Sequence, residues 1–323
     1  MMTFTHIVNP VKVPDSSDLF MAQPITFESM RRAKDVAEKG DMDISVRLAS
    51  CCFPEDETIV PDYFEKTPNL TRSIQEHEAF STAKKLPYIE DILRLGYEHA
   101  NADYVVFTNV DISLYPHFYI SVATLLQQGV DGLCINRRTL PNGAFSPSDL
   151  PKLYAEKGVP HEGIDCFVIK REQIPNMKLE GGIVGTGPVG LFIAHNLLQL
   201  SSHFQWIREE RLTFHIGDDK NWLKGDMGKD SLLYYNYKAL EQNLAHIAQT
   251  ETDVHKSKVM ESALAHARHF LEHQNLESGT KHRQKLAYFS DGDYDNLQVE
   301  NEPKAEKSSK GIKSSIKKIF GKG

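Results

Sequence analysis

The stretch KLPYIEDILRLGYEHANADYVVFTNVDI, residues 85–112, sets the reading of the whole chain. Pro87 suits the first position of a helix, because its missing N–H would have no partner there anyway. Ile89, Ile92, Leu93 and, less cleanly, Tyr97 then share one helical face. Residues 104–107 form a short, fully apolar strand, the kind usually buried between helix layers. Asn109 and Asp111 follow it directly, which puts a carboxylate at the sheet edge where ligands bind in such folds. An Asx-x-Asp pair offers two hard oxygens to magnesium or manganese from one turn. It also satisfies a turn by local hydrogen bonding alone.

Outward from this unit, strands and helices alternate. FTHIVNPV is a strand, and Thr26 stands as the cap of a helix over residues 27–39 that Gly40 closes. ISVRLASCCF is the next strand and runs into the acidic PEDE turn. A helix over residues 117–128 precedes GLCINRR, and DCFVIKRE repeats that style. The pattern predicts an α/β fold, a mostly parallel central sheet flanked by helices. Residues 229–277 read as a helical extension, and residues 278–323 as a polar linker and basic tail.

The 323 residues carry 37 lysines and arginines against 44 acids, a formal charge of −7 that argues against a general nucleic-acid coat protein. No run of about 20 apolar residues predicts a membrane span, and the N-terminal stretch lacks the pattern of a signal peptide. Four cysteines without a CxxC read as buried free thiols in a reducing cytoplasm.

Residues 85–112 resemble the central segment of nucleotide-sugar glycosyltransferases of the GT-A fold. In that family a helix feeds an apolar strand that ends in a short acidic motif, often Asp-x-Asp, holding a divalent metal on the donor diphosphate. Here Asn109 replaces the first aspartate. RLTFHIGDDKNW places His215, Asp218 and Asp219 after another apolar segment, and by resemblance His215 completes the metal site with Asn109 and Asp111. The resemblance implies Mn2+ or Mg2+ as cofactor. Asn9, Glu55 and Asp56 fall at early strand ends that hold the nucleoside, and Arg137 and Arg138 would neutralise the diphosphate. Asp165, Glu180 and Asp218 are candidates for catalytic work on an acceptor hydroxyl.

Gly185, Gly187 and Gly190 complete a GxGxxG, followed by the apolar helix LFIAHNLLQL and then FQWIREE. That is the layout of a dinucleotide site, with the pyrophosphate at the helix N-terminus. The preceding NMKLEGGIV is a poor strand, however, and the motif starts late in the chain. In the extension, Leu232, Leu233, Leu240, Leu244, Ile247, Val259, Leu264, Phe270 and Leu271 supply the inner faces of two helices. His266, His269 and His273 lie three and four apart and read as a solvated face.

The last 20 residues hold seven lysines and one glutamate, with Ile312, Ile316, Ile319 and Phe320 forming an apolar stripe. Such a segment lies on an anionic membrane surface. The expectation is a cytoplasmic glycosyltransferase, peripherally bound to the inner membrane face. It would move a sugar from a nucleotide-diphosphate donor to a hydroxyl acceptor in the synthesis of cell-surface polysaccharide or glycolipid, a lipid-linked glycan included. The alternatives are a dinucleotide-dependent oxidoreductase built on Gly185 to Gly190 and a non-catalytic membrane-associated interaction protein.

Overall fold

The computed structural model describes residues 1–81, 84–217 and 227–297. Strands β1 (Met2–Val8), β2 (Ile44–Ser50), β3 (Glu65–Lys66), β4 (Tyr104–Thr108), β5 (Ser113–Leu114), β6 (Gly132–Leu140), β7 (Val159–Lys170), β8 (Phe204–Ile207) and β9 (Thr213–Ile216) form one sheet. Its order is β3-β2-β1-β4-β7-β6-β9-β5, with β8 paired to β6. The pairs β1–β2, β1–β4, β2–β3, β6–β8 and β6–β9 are parallel. The expected parallel character therefore holds for most of the sheet, but β7 runs antiparallel to both β4 and β6, and β5 to β9.

Helices cover both faces, as the alternating sequence required. On one side, α2 (Ile89–His99) and α5 (Val189–Leu200) pack Ile89, Ile92, Leu93, Phe192, Ile193 and Leu197 against Val105 and Phe107. On the other, α1 (Asp18–Lys39) and α3 (Phe118–Gln127) pack Phe27, Met30, Phe118 and Val122 against Val106 and Val168. Residues 105, 106 and 107 thus alternate between two cores, which is why the strand had to be apolar on both sides. All four cysteines are buried and unpaired.

Helix α1 begins nine residues earlier than its sequence implied. Thr26 is no cap: it lies buried inside the helix, its Oγ1 3.1 Å from Ser113 Oγ. The early turns were hidden by Pro24, which sits within the helix although proline normally ends one. A fourth, short helix, α4 (Leu150–Ala155), follows β6.

The C-terminal extension is three helices, α6 (Leu232–Thr250), α7 (Val254–His273) and α8 (Gly279–Ser290). Leu240, Leu244 and Ile247 meet Val259, Met260 and Phe270 in the same core as α2 and α5. The linker expected from residue 278 instead starts with α8, whose Leu286 is fully buried. The basic tail lies outside the described residues. Among the described residues no helix is long and apolar enough to cross a membrane.

His266 is not on a solvated face. It is buried, with Nε2 3.1 Å from the Tyr237 hydroxyl and Nδ1 2.7 Å from Ser278 Oγ. Beside it, His195 Nδ1 donates to the Leu191 carbonyl at 2.6 Å, which leaves Nε2 to accept from His282 Nε2 at 3.1 Å. His282 Nδ1 then remains, among the described residues, a buried acceptor without a partner. Burial pushes His195 and His266 down to about 4, and His282 well below its ordinary value; in the sheet, burial pushes His6 down to about 3.

These histidines fold neutral. Their folded pKa values lie below the unfolded value of about 6.5, so the unfolded chain takes up protons first as pH falls. Stability is full above about pH 6.5 and declines toward the folded values. One pH unit below 6.5, each histidine removes about 1.4 kcal/mol. Urea unfolding at about pH 7.5 and 5.5 should therefore show a loss of several kcal/mol, and the double change His195→Leu/His282→Leu should remove about half of it. An equal loss in that variant would contradict the assignment.

Candidate active site

The carboxyl ends of β4, β6 and β9 converge, and the reversed β7 brings its early half to the same edge. Asn109 starts a turn after β4, its carbonyl accepting from Ile112 N at 3.1 Å. The chain then enters β5, which pairs with β9 through Ser113↔Phe214 and Leu114↔Thr213. This short ladder carries Asp111 alongside His215. Asp111 Oδ2 lies 3.3 Å from His215 Nε2, and both side chains are largely buried.

The other ring nitrogen fixes the role of His215. Its Nδ1 is 2.7 Å from the Gly217 carbonyl and must donate to it. In the neutral ring, Nε2 is then a free lone pair; in the charged ring, it donates to Asp111. Burial alone pushes Asp111 up, but the hydrogen bond and charge of His215, with Arg137 nearby, outweigh it and hold the carboxyl below its ordinary range. Burial pushes His215 down, and Asp111 reverses that, so His215 lies above its ordinary value.

A second pair adjoins the first. Arg137, on β6, donates from Nη1 to Asp165 Oδ2 at 2.6 Å, and both side chains are 13% exposed. Asp165 Oδ1 faces Asn109 Nδ2 at 3.5 Å, and Arg137 Nη2 lies 3.4 Å from His161 Nε2. Asn109 therefore offers its amide nitrogen to Asp165, while the Asp111–His215 pair stands by itself.

The bulged pairing of β6 with β7 explains how Asp165 gets there. The step from Ile135 to Asn136 on β6 spans Cys166 to Ile164 on β7, so Asp165 is an extra residue. The step from Asn136 to Arg138 spans Ile164 to Pro160. Such bulges turn a side chain out of the ladder. Gly163 is needed here, because a Cβ would come within 2.8 Å of the His161 ring. No periodicity in the sequence signals this bulge, and His161 was missed with it.

Other expected residues lie elsewhere. Arg138 is not free for a diphosphate: it is buried and donates to the carbonyls of Lys157, Gly158 and Glu209, a structural role that a buried guanidinium with three carbonyl acceptors will not readily leave. Asn9 donates to the Cys51 carbonyl at 2.7 Å and ties the ends of β1 and β2. Asp56 is buried and accepts from Lys12 N at 2.7 Å, while the exposed Glu55 pairs with Lys85. These three form a separate group at neighbouring strand ends. Glu180 is exposed, and its carbonyl accepts from Asn243, about 10 Å along α6 from the Asn236 that holds the glycine loop. Asp218 lies outside the described residues.

The glycine loop does not follow a strand. Asn236 donates to the carbonyls of Ile183, Thr186 and Gly187 and accepts from Ile183 N, which ties the loop to α6. Gly190 lets α5 approach β7, since a Cβ would meet the Ile164 carbonyl at 2.5 Å. The glycines serve packing, and the dinucleotide reading is not favoured.

No protein-family model and no curated protein matches the chain. Among solved structures it is similar to residues 1–349 of S. aureus TarS in complex with UDP-GlcNAc, with a TM-score of 0.53 and 11% identity over 92% of this chain and 81% of that one. The fold is GT-A-like. The same TarS fragment described without a ligand matches with a TM-score of 0.50 and 10% identity, over 92% and 81%. A looser likeness, with a TM-score of 0.42 and 12% identity over 78% and 81%, is to glucosyl-3-phosphoglycerate synthase from Mycobacterium tuberculosis in complex with Mg2+ and UDP. At these identities the resemblance to GT-A nucleotide-sugar glycosyltransferases is one of fold.

Among the described residues no cluster of three or more His, Cys, Asp or Glu side chains surrounds one point. Asp111 and His215 still fit as part of a cation site. Their facing atoms are 3.3 Å apart, close to the ~2.9 Å between neighbouring ligands of an octahedral ion with bonds of about 2.1 Å. The Nδ1–H bond to a carbonyl is the usual support of a histidine that ligates through Nε2.

Asp111→Asn should drop the His215 pKa, because the hydrogen bond and charge that raise it vanish while burial and Arg137 remain. A nitrogen-detected NMR titration of His215 reads this directly. An unmoved or higher value would contradict the pairing.

Proposed function

We propose that the chain is a glycosyltransferase that moves a sugar from a nucleotide-diphosphate donor to a hydroxyl acceptor. The observation that carries this reading is the meeting of Asp111–His215 with Arg137–Asp165 at the carboxyl edge of a GT-A-like sheet. The fold alone would leave the chemistry open. The two pairs divide the labour that such a transfer needs.

Asp111 and His215 would hold Mn2+ or Mg2+; a carboxylate with an imidazole suits manganese better than magnesium. When bound, the cation supplies positive charge to the departing nucleoside diphosphate. Arg137 adds a fixed guanidinium to the same region, where its hydrogen-bonding fork suits phosphate oxygens. Asn9, Glu55 and Asp56, at neighbouring strand ends, would hold the nucleoside by resemblance to the GT-A family. Asp165 would act on the acceptor: Arg137 engages its Oδ2, and among the described residues Oδ1 has only the long contact to Asn109, which leaves that oxygen able to take the hydroxyl proton.

The basic, striped tail, residues 304–323, supports attachment to an anionic membrane surface at the inner face of the membrane, with an acceptor destined for the cell surface. Sedimentation with anionic vesicles should capture the full chain at low salt and release it at high salt. Removing residues 304–323 should abolish capture; undiminished capture would refute the tail's role.

A thermal-shift panel of UDP, GDP and CMP sugars with and without manganese, beside NADH, NADPH and FAD, tests the main reading. A ligand at ~100 times its dissociation constant stabilises by about 2.7 kcal/mol. The expected result is a manganese-dependent shift with one nucleotide sugar, lost in Asp111→Ala while the variant stays folded. A shift with a dinucleotide alone, or an unchanged shift in Asp111→Ala, would overturn it.

A further inference from the structure

The bulged segment of β7 is held by a buried relay that the transfer chemistry does not touch. Asn136 is 4% exposed, and its Nδ2 donates to the His161 carbonyl at 2.7 Å. Its Oδ1 accepts from Trp206 Nε1 at 2.6 Å, and Trp206 is 5% exposed. The side-chain amide thus spends its donor on the bulge and its acceptor on the indole. The Trp206 backbone N–H donates to Ser290 Oγ at 2.8 Å, which ties the relay to α8. At the other end, Gly163 N donates to His161 Nδ1 at 2.8 Å and closes the bulge on itself.

Packing alone does not account for this arrangement. A buried amide and a buried indole N–H each cost free energy unless they are paired. An apolar residue at 136 would leave the strand equally well covered. It would also leave the His161 carbonyl without its donor, in a stretch where β7 has lost its regular ladder partners. Asp165 lies four positions from the residue with the pinned carbonyl and is itself extra to the ladder.

We propose that Asn136, oriented by Trp206, is a positioning residue that locks the β7 bulge and so sets Asp165 for the acceptor step; this rests on the glycosyltransferase reading above. The side-chain bonds of the relay run to the β7 bulge, to Trp206 and to α8, not to Asp111 or His215. Asp111 and His215 are set by the β5–β9 ladder and by Gly217, and β9 meets Asn136 through the Asn136 backbone carbonyl, which accepts from Thr213 Oγ1 and is unaltered by a side-chain change. Breaking the relay should therefore slow the chemistry and leave the donor bound as before. Misplacing a reacting group by about 1 Å costs up to ~100-fold in rate.

Two changes separate the two arms of the relay, and Asn136→Asp preserves the shape of the side chain. Trp206→Phe removes the indole N–H and keeps an aromatic ring. Asn136→Asp keeps an acceptor for Trp206 and removes the donor to His161. The assay follows release of nucleoside diphosphate from the nucleotide sugar that answers the thermal-shift panel. In both variants kcat should fall at least ~10-fold while the KM for the donor stays within about twofold. Hydrogen exchange on the unliganded protein should quicken at residues 161–165 and stay unchanged in β1 and β4. If Asn136→Asp does not fold, Trp206→Phe carries the same pair of measurements. An unchanged kcat, or a donor KM that rises along with the loss of kcat, overturns the positioning role while the transferase reading stands. A parent protein that turns over no nucleotide sugar overturns both, and the exchange result then reports only a structural lock.

Discussion

The reversal of β7 between β4 and β6 is the constraint on which the candidate site depends. Parallel strands deliver their carboxyl ends to one edge, so β4, β6 and β9 bring Asp111, Arg137 and His215 there without further devices. A parallel β7 would present its early residues at the opposite edge. Running antiparallel, with Thr108 opposite Cys166, it delivers Asp165 next to Asn109. The bulge then frees Asp165 from the ladder so that it can pair sideways with Arg137. The β5–β9 ladder is steadied from outside: Ser29 on α1 accepts from Leu114 N at 2.9 Å, and Thr26 meets Ser113. A helix on one face thus fixes the register that seats Asp111 on His215.

The parts of this arrangement that follow from composition and period were legible in the chain. Residues 104–107 are apolar on both faces and had to be a buried strand; Asp111 follows it and had to reach the edge. His215 behaved the same way at the end of a shorter strand. What could not be read is whatever depends on strand direction or register. DCFVIKRE looks identical whether it runs parallel or antiparallel, and nothing in HEGID marks the four residues, His161, Glu162, Gly163 and Asp165, that leave the ladder. Arg137 and Arg138 are neighbours of one chemical type, and alternation alone sends one into the site and the other onto backbone carbonyls. His266 looked solvated because its helix is mostly polar, and only a third helix beyond residue 278 covers it.

The GxGxxG motif shows the same limit from the other side. Its spacing is complete, but spacing constrains a loop only together with the strand before it. Here that strand is missing, and Asn236 consumes the loop carbonyls. Glycine at 190 answers a close approach between α5 and β7, a packing need that produces the same letter as a phosphate cradle would.

The charges of the site explain why it holds two ion pairs where apolar residues would be cheaper. Burying a carboxylate with its partner rarely stabilises a fold, because desolvation consumes most of the attraction. Asp111, His215, Arg137 and Asp165 are all largely buried, and Arg137 acts on both pairs: it favours the Asp111 anion and opposes charge on His215. With His215 protonated such a set is balanced by itself, so a lone anion or a lone cation entering it leaves one group uncompensated. A divalent cation arriving with a diphosphate brings charges of similar size and opposite sign. On the proposed reading, Asp111 and a His215 that has given up any Nε2 proton to solvent would turn to the cation, Arg137 would turn to the phosphate, and Asp165 would face the acceptor. The pairing that costs stability in the free protein would then also be the arrangement that admits a cation–diphosphate unit with little rearrangement.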